Sequence, residues 1–296
     1  MLESYKPSVL SGLLKYHDIH LSKSLGQNFI TDGNIVDKIA GLAGLSSADT
    51  VLEIGAGAGA LTSALCRRAG RVVTVEIDGR LMPLLAETLE GAGNVEIINE
   101  DFLKLWDGGI AMGPEQPERF VPDAVVGNLP YSITSPVVFK LLSGGAMPKR
   151  MVFMIQREVA ERIIAPAGIK AYGVISVLCR YYCRVELCMG VPKEAFMPRP
   201  KVDSAVIRMV PEPGRYKEPA DVEVFRSVVK AGFGQRRKTL RNALTGLMGG
   251  FGVTGNAMDR IYKDAGVDPG RRAETLEVEE FIRLGDSLCE ARARVG

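Results

Sequence analysis

Three glycines at alternate positions form the part of the sequence best suited to bind a ligand. Gly55, Gly57 and Gly59 follow an apolar run at 51–54, and a helix-compatible segment at 61–68 comes next. Glycine allows tight backbone turns and leaves no Cβ in the way of an approaching ligand. A turn from a strand into a helix N-terminus is where parallel α/β sheets bind nucleotide-like cofactors. The stretch therefore predicts a cofactor site without identifying the cofactor.

Polar side chains stand at or just beyond the ends of three predicted strands. They are Glu76, Asp101 and Asn128. Ligands bind at the carboxyl-end edge of an open parallel sheet, so we expect these side chains to lie near the glycines. A carboxylate about 20 residues after the glycines is placed to hold a ribose through its hydroxyls. Each residue taken alone has a simpler explanation as a helix cap or turn residue, but the three together favour a site.

The tetrapeptide Asn128-Leu129-Pro130-Tyr131 suits methylation of an exocyclic amine. The lone pair of adenine N6 is delocalised into the ring, which makes this nitrogen a poor nucleophile. Hydrogen bonds from the amino group to the Asn128 side-chain oxygen and the Leu129 carbonyl would localise the lone pair. Pro130 fixes the turn, and Tyr131 offers a ring face on which an unstacked base can lie. Catalysis would then depend on positioning and in-line approach to a methyl sulfonium.

Alternating strands and helices are predicted to hold these residues at one edge of a sheet. Strands are expected at 51–54, 71–76, 94–99, 122–126 and 150–156. Helices are expected at 34–43, 78–90, 135–142, 157–164 and 171–182. The Gly- and Pro-rich residues 107–122 are expected to form a loop, and strands at 184–189 and 204–210 to form an antiparallel edge. This βαβ repetition predicts a mostly parallel α/β sheet with right-handed crossovers.

The composition is that of an ordinary globular protein. The chain has 296 residues and a formal net charge of +2, which is too small to indicate a nucleic-acid partner by itself. Its five cysteines form no CxxC pair and it has only two histidines, so free thiols are favoured and no metal is expected. No signal-peptide pattern opens the chain and no apolar run reaches membrane-spanning length, which predicts a cytoplasmic protein without a membrane partner.

A linker is predicted at 211–215, and the chain after it has helical patterns. These helices are expected at 222–231, 239–248, 257–265 and 278–291. Residues 224–258 contain no Asp or Glu but carry six cations, which are Arg226, Lys230, Arg236, Arg237, Lys238 and Arg241. Phosphate contact explains such an unbalanced cluster better than a solvated face does. We therefore predict a catalytic domain over 1–210 and a small helical domain over 211–296.

Three segments have patterns that leave their role open. Residues 1–20 fit either a short packed helix or a loose leader, and residues 23–30 fit either an ordered polar loop or a solvated connector. Thr31 or Asp32 is a plausible cap for the helix that follows. Phe196 stands among three prolines, which would hold its ring on a stiff loop either for contact with a ligand or as a buried anchor.

Taken together, the motifs resemble those of the small-subunit ribosomal RNA adenine dimethyltransferases, the KsgA/RsmA family. The resemblance covers nearly the whole chain, from Lys23-Ser-Leu-Gly-Gln-Asn-Phe-Ile30 to the segment at 233–244. Many methyltransferases share the glycine motif, whereas the first segment, the loop at 195–204 and the basic segment are together specific. Relatives often carry Pro-Pro ahead of this loop, where the present chain has Val191-Pro192.

The resemblance implies a Rossmann-like class I methyltransferase fold and dependence on S-adenosylmethionine. The expected activity is N6,N6-dimethylation of two adjacent adenosines near the 3′ end of 16S rRNA. The residues implied for the cofactor are Gln27, Asn28 and Ile30 from the N-terminal loop, Gly55 at the methionine end, Glu76 at the ribose, Asp101 near the adenine amine, and Asn128 between cofactor and target base.

The resemblance also implies how the substrate is held. Tyr131 and Phe196 are expected to stack on the flipped adenine, next to the catalytic turn that Leu129 and Pro130 complete. The helical domain, with its basic stretch at 236–241, would help to hold ribosomal RNA of the small-subunit precursor. A monomeric protein is expected.

Three other functions compete with this one. A nicotinamide dehydrogenase fits the glycines and Glu76, but hydride transfer does not need the tetrapeptide at 128–131. A methyltransferase of the antibiotic-resistance type would act on 23S rRNA with the same catalytic core, and the basic segment at 234–238 argues against it. A non-catalytic RNA-binding protein on the same scaffold is disfavoured because Asn28, Glu76, Asp101 and the tetrapeptide are intact.

Overall fold

The carboxyl ends of five parallel strands lie side by side in the central sheet. The computed structural model describes residues 1–22, 26–113 and 116–294. The strands are β1 (Phe29–Ile30), β2 (Thr50–Ile54), β3 (Arg71–Glu76), β4 (Val95–Asn99), β5 (Ile110–Gly113), β6 (Gln116–Phe120), β7 (Ala124–Asn128), β8 (Arg150–Gln156), β9 (Cys183–Val191), β10 (Phe196–Met197) and β11 (Ser204–Pro211). The helices are α1 (Pro7–Tyr16), α2 (Gly33–Leu42), α3 (Ala60–Cys66), α4 (Met82–Thr88), α5 (Phe102–Leu105), α6 (Thr134–Ser143), α7 (Arg157–Ile164), α8 (Val174–Tyr182), α9 (Val222–Gly234), α10 (Leu240–Gly250), α11 (Asn256–Ala265) and α12 (Val278–Ala293).

The central sheet has the order β4-β3-β2-β7-β8-β11-β9. The pairs from β4 to β8 are parallel, and β11 runs antiparallel to β8. This is the mostly parallel sheet with an antiparallel edge that the βαβ pattern predicts. Strands β2 and β3 are buried almost throughout, as expected for parallel strands that are covered on both faces.

Two apolar clusters pack against the sheet. One contains helices α2 and α3 and is built around buried residues such as Ile39 and Leu65. The other joins Leu10, Leu13 and Leu14 of α1 to residues near α4 and to the alanines of the glycine loop. Residues 1–20 are therefore not a loose leader, because their leucines are part of the core.

The local predictions hold for most elements and fail for residues 107–122. Asp32 caps α2, because its carboxylate accepts the backbone N–H groups of Asn34 and Ile35. In place of the predicted loop, β5 and β6 pair as an antiparallel hairpin in which Ile110 lies opposite Phe120. The sequence does not show this hairpin, because the segment is rich in glycine, proline and charged residues and lacks the apolar alternation typical of a strand. A two-stranded ladder is held by backbone hydrogen bonds and does not require that alternation.

The chain forms two compact units. One comprises Met1–Ala160 and Val185–Pro211, and the other comprises Glu161–Arg184 and Glu212–Gly296. The boundary between the two units after Pro211 falls at the predicted linker. Glu161–Arg184, however, belongs to the same unit as the C-terminal helices and not to the predicted domain of residues 1–210. In that unit the buried Tyr172 donates its hydroxyl hydrogen to the Leu276 carbonyl at 3.0 Å. Local sequence patterns do not report a contact between residues about a hundred positions apart.

The basic segment at 234–238 begins at the last residue of α9, and the rest of it is a turn between helices. Residues 235–238 connect α9 to α10, within the second unit. Among the residues that the structure describes, no helix is long and apolar enough to cross a membrane. In the same residues, no group of three or more His, Cys, Asp or Glu side chains is arranged to hold a metal ion.

Candidate active site

The glycine loop turns the chain from β2 into α3 through three left-handed residues. The φ angle is 80° at Gly55, 57° at Gly57 and 80° at Gly59, a region that L side chains rarely adopt. A Cβ on Gly57 would also lie 3.0 Å from the Phe29 ring. The backbone itself therefore requires glycine here, and the loop leaves an open approach to the end of β2.

Glu76 ends β3 beside this loop and is almost fully buried. Its Oε2 accepts the N–H of Gly57 at 2.9 Å, and its Oε1 accepts the N–H of Asp78 at 2.9 Å. Burial raises the pKa of Glu76, while the two backbone donors act in the opposite direction. The carboxylate is held in one orientation and keeps lone pairs for hydroxyl donors.

Asp101 follows β4 and begins α5. Its Oδ1 accepts the N–H of Leu103 at 2.9 Å, so the simple explanation as a helix cap is correct for this residue. The same side chain also lies on the wall of the cleft described below. Capping uses one carboxylate oxygen, and among the described residues none donates a hydrogen bond to the other.

Asn128 ends β7, and its side chain is oriented by the N-terminal loop. Its Nδ2 donates to the backbone carbonyl of Asn28 at 2.9 Å. This bond directs the donor half of the amide toward the loop, which leaves Oδ1 as an acceptor. No donor within the described part of the chain is bonded to that oxygen.

The turn after Asn128 is held by contacts on both sides. The N–H of Leu129 donates to the Met154 carbonyl at 3.0 Å, and the Pro130 carbonyl accepts the N–H of Ile133 at 3.1 Å. The Tyr131 hydroxyl is bonded to Ser204 Oγ at 2.9 Å, which holds the half-buried ring in place. Burial raises the pKa of Tyr131, so the phenol stays neutral.

One cleft brings most of the predicted residues together. Including its opening to solvent, it contains about 1050 Å³ of space not filled by protein atoms. Predicted residues that line it are Gln27, Asn28, Gly55, Glu76, Asp101, Asn128, Leu129, Pro130 and Tyr131. All of them belong to the first compact unit. A polar floor at the strand ends and a ring at the rim would suit a nucleoside-like ligand.

Ile30 and Phe196 lie elsewhere. They are partners in the short ladder between β1 and β10, and both are buried in the apolar cluster that contains α2 and α3. Ile30 lines a smaller cavity beneath the glycine loop. Phe196 is an anchor that ties its proline-rich loop to β1, so the structure does not place its ring on the cleft.

Sequence reasoning missed the apolar walls of the cleft and one polar clamp. The walls are formed by residues that include Ile77, Leu103 and Ile133. Ile77 is 54% exposed. It could have been found from the sequence as an isoleucine directly after the carboxylate that ends a predicted strand. The clamp is Asp78. Its Oδ2 accepts a hydrogen bond from Gln27 Nε2 at 2.7 Å, and this bond holds the N-terminal loop at the cleft. The preceding residues 23–25 of this predicted loop lie outside the described residues.

The six cations near α9 and α10 have different surroundings, and Lys230 is exposed on α9. Arg236 donates to the carbonyls of Lys170 and Tyr172 at 2.7 Å each, and Arg241 pairs with Asp259. Arg226 is mostly buried and pairs with Glu223. Arg237 and Lys238 are exposed and form no ion pair with any residue that the structure describes. Together with Gln235 and Arg236 they line a surface depression.

The sheet order and the cleft at the strand ends define a Rossmann-like class I methyltransferase. Two solved structures share this fold. A dimethyladenosine transferase from Plasmodium falciparum is 26% identical, with a TM-score of 0.69 over 86% of this chain and 95% of that chain. The 23S rRNA methyltransferase ErmE is 30% identical, with a TM-score of 0.63 over 88% of this chain and 99% of that chain.

The sequence comparisons define the family. The profile of the ribosomal RNA adenine dimethylases matches residues 19–284. A curated relative from Bacillus cereus (strain AH187), named ribosomal RNA small subunit methyltransferase A, is 43% identical over 95% of this chain and 96% of its own length. The chain belongs to the ribosomal RNA adenine dimethylase family and is an rRNA methyltransferase.

Proposed function

We propose that this enzyme dimethylates N6 of two adjacent adenosines near the 3′ end of 16S rRNA during maturation of the small subunit. The observation that carries the proposal is the Asn128 side chain, whose Nδ2 is bonded to the Asn28 carbonyl so that Oδ1 is available at the cleft. An amide oxygen held in this way accepts an exocyclic amino hydrogen without having to reorganise.

The cleft residues fit S-adenosylmethionine. Glu76, fixed by the N–H groups of Gly57 and Asp78, would accept the ribose hydroxyls, and Asp101 would accept the adenine amine. Ile77 and Leu103 would contact the apolar faces of the adenine. Gly55 and Asn28 would lie at the methionine end, where the positive φ of Gly55 keeps the approach open. The bound cofactor supplies an electrophilic methyl group on a sulfonium.

The acceptor would be held by the turn at residues 128–131. Asn128 Oδ1 and the Leu129 carbonyl accept the two amino hydrogens of the target adenine, which localises the lone pair on N6. Tyr131, held by Ser204, provides the ring face for the base, as expected when an enzyme works on a base outside the stack. No strong base is required, because the nitrogen becomes acidic once it is methylated and loses its proton to solvent.

The small subunit is favoured over the large one by the comparisons. The curated relative that acts on the small subunit is 43% identical, whereas ErmE is 30% identical. We further propose that the helical unit contacts ribosomal RNA through Arg237 and Lys238, that the protein works as a monomer in the cytoplasm, and that no metal takes part.

Mass spectrometry of ribosomal RNA tests this function. Small- and large-subunit precursors from cells lacking the modification are incubated with the protein and methyl-labelled S-adenosylmethionine, and each RNA is digested and analysed. We expect two dimethyladenosines in 16S rRNA and none in 23S rRNA. Label confined to 23S rRNA would instead assign the reaction of the antibiotic-resistance type, and no label in either would leave only a binding function.

A further inference from the structure

Helix α1 packs against the glycine loop. Leu10, Leu13 and Leu14 of α1 lie in one buried cluster with Ala56 and Ala58 of that loop. The start of the chain is tied to the end of α4, because the N–H of Leu2 donates to the Thr88 carbonyl at 2.8 Å. The terminal ammonium donates to the Glu90 carbonyl at 2.9 Å. The segment is thus part of the structure that supports the loop.

A small cavity lies between this segment and the glycine loop. Including its opening to solvent, it contains about 350 Å³ of space not filled by protein atoms, and its lining includes Ser4, Glu53, Gly55, Gly57 and Asn128. The last three also line the cofactor cleft, so the cavity and the cleft share part of their walls. Much of the remaining lining is apolar, from residues such as Ile30 and Leu61.

Two buried polar atoms belong to residues on the walls of this cavity. Ser4 is 1% exposed and Glu53 is 0% exposed. Glu53 Oε2 accepts the hydroxyls of Thr62 at 2.6 Å and Thr74 at 2.8 Å. Ser4 Oγ and Glu53 Oε1 have no hydrogen-bond partner in the described residues. Native proteins satisfy nearly all such atoms, often with an ordered water.

We propose that Ser4 is a positioning residue for the cofactor, because its hydroxyl and Glu53 Oε1 hold a water molecule that supports the glycine loop. This inference rests on the proposed use of S-adenosylmethionine. Two polar groups contributed by separate elements, with glycine-loop backbone nearby, meet the requirement that a buried water has several polar partners. An apolar occupant would leave both oxygens unpaired.

A matched pair of serine variants tests the role of Ser4. Ser4→Ala removes its hydroxyl, and Ser63→Ala removes another buried hydroxyl that has no partner in the described residues but lines a different cavity. Calorimetric titration with S-adenosylhomocysteine measures binding. We expect Ser4→Ala to bind about three- to tenfold more weakly, the scale of one lost hydrogen bond, and Ser63→Ala to bind like the wild type.

A merely structural role for Ser4 would have a different outcome. It would lower the melting temperature of both variants similarly and leave both dissociation constants unchanged, which would overturn the inference. Ser4→Thr restores a hydroxyl and is expected to recover most of the binding. In a Glu53→Gln background, Ser4→Ala should weaken binding of S-adenosylhomocysteine less than it does in the wild type, because both residues act through the same water. An equal loss of affinity in the two backgrounds would also overturn the inference.

The result can be separated from the fate of the proposed function. Binding of S-adenosylhomocysteine to the wild type establishes the cofactor without any RNA. If the wild type binds it and Ser4→Ala binds equally well, the inference fails while the methyltransferase assignment stands. If the wild type binds the cofactor but modifies neither ribosomal RNA, the substrate assignment fails and the comparison of serine variants remains valid.

Discussion

Asn128 illustrates how one amide can be held and still be available. Its Nδ2 is bonded to Asn28, and the proposed acceptor role uses only Oδ1. Replacing Asn128 with Ala removes that oxygen, and we expect kcat to fall on the order of 100-fold, as for other preorganised hydrogen-bonding groups in active sites. The KM for RNA should change little. Single-turnover methylation of 16S rRNA measures the effect, and turnover equal to the wild type would rule out amine activation by Asn128.

Tyr131 provides a test that separates its ring from its hydroxyl. Tyr131→Phe loses the bond to Ser204 but keeps the ring, whereas Tyr131→Ala loses both. Stacking on one base is worth about 1–3 kcal/mol. We therefore expect kcat/KM to fall about five- to 150-fold in Tyr131→Ala and much less in Tyr131→Phe. Equal losses in the two variants would show that the hydroxyl, and not stacking, is what matters.

Glu53 predicts a pH dependence of stability. Burial raises the pKa of this carboxyl from 4.5 to about 7, with nearby Glu76 adding to the rise and the hydroxyls of Thr62 and Thr74 opposing it. Between about pH 4.5 and 7, the folded state therefore keeps the Glu53 proton, whereas the unfolded state has released it. The stabilisation is therefore complete below pH 4.5 and is lost as pH rises through about 7.

The variant Glu53→Gln measures this contribution. Glutamine is neutral in both states, so the wild type should lose unfolding free energy relative to the variant as pH rises, by about 3 kcal/mol in all. Denaturant titrations at pH 4.5, 6 and 8 provide the comparison, with exposed Glu158→Gln as the control. A constant difference between wild type and Glu53→Gln would show that the carboxyl titrates normally.

At the scale of elements, the turn between α9 and α10 separates cations that hold the fold from cations available to a partner. All three cations are exposed, but Arg236 is bonded to the Lys170 and Tyr172 carbonyls, while Arg237 and Lys238 form no ion pair with any described residue. Replacing Arg237 and Lys238 together with Ala should weaken RNA binding and lower the slope of its salt dependence by about two, because each cation neutralises one phosphate. Fluorescence anisotropy at several salt concentrations measures both quantities.

The control for this double variant is a pair of cations already matched by acidic residues. Arg215 pairs with Glu212 and Lys217 with Asp286, so their replacement with Ala should leave the salt slope nearly unchanged. A slope that falls equally in both double variants would indicate a general charge effect and no specific surface. Arg236→Ala belongs to a different test, because it should lower the melting temperature by removing two hydrogen bonds to backbone carbonyls.

At the scale of the whole molecule, the cofactor cleft lies within one compact unit. All the lining residues belong to Met1–Ala160. S-adenosylhomocysteine should therefore slow hydrogen exchange in peptides covering residues 54–59, 76–81, 100–103 and 128–133, because binding stabilises the state that holds it. Peptides from 212–294 should exchange as before. Protection spread equally over both units would contradict a self-contained cofactor site.

The elements could be predicted from sequence where short-range patterns determine them. Strand β8 and helix α7 have the predicted bounds. Asp32 caps α2 because a carboxylate just before a helix can accept the unpaired backbone N–H groups of the first turn. The hairpin of β5 and β6 escaped prediction because its pairing depends on backbone bonds. The membership of Glu161–Arg184 in the second unit escaped it because hydrogen bonds such as that of Tyr172 with Leu276 join distant positions.

The sequence by itself narrowed the chemistry: glycines at a strand-to-helix turn and carboxylates at the next two strand ends indicated a nucleotide-like cofactor, and Asn-Leu-Pro-Tyr after the fourth strand favoured an amine acceptor. Residue type and spacing suffice there, because strand ends of a parallel sheet meet at one edge. Only the tertiary structure decided which side chains are free to act. It buried Phe196 against Ile30, used Arg236 to hold backbone carbonyls, and brought Ser4 beneath the glycine loop, since burial and partners depend on residues far apart in the chain.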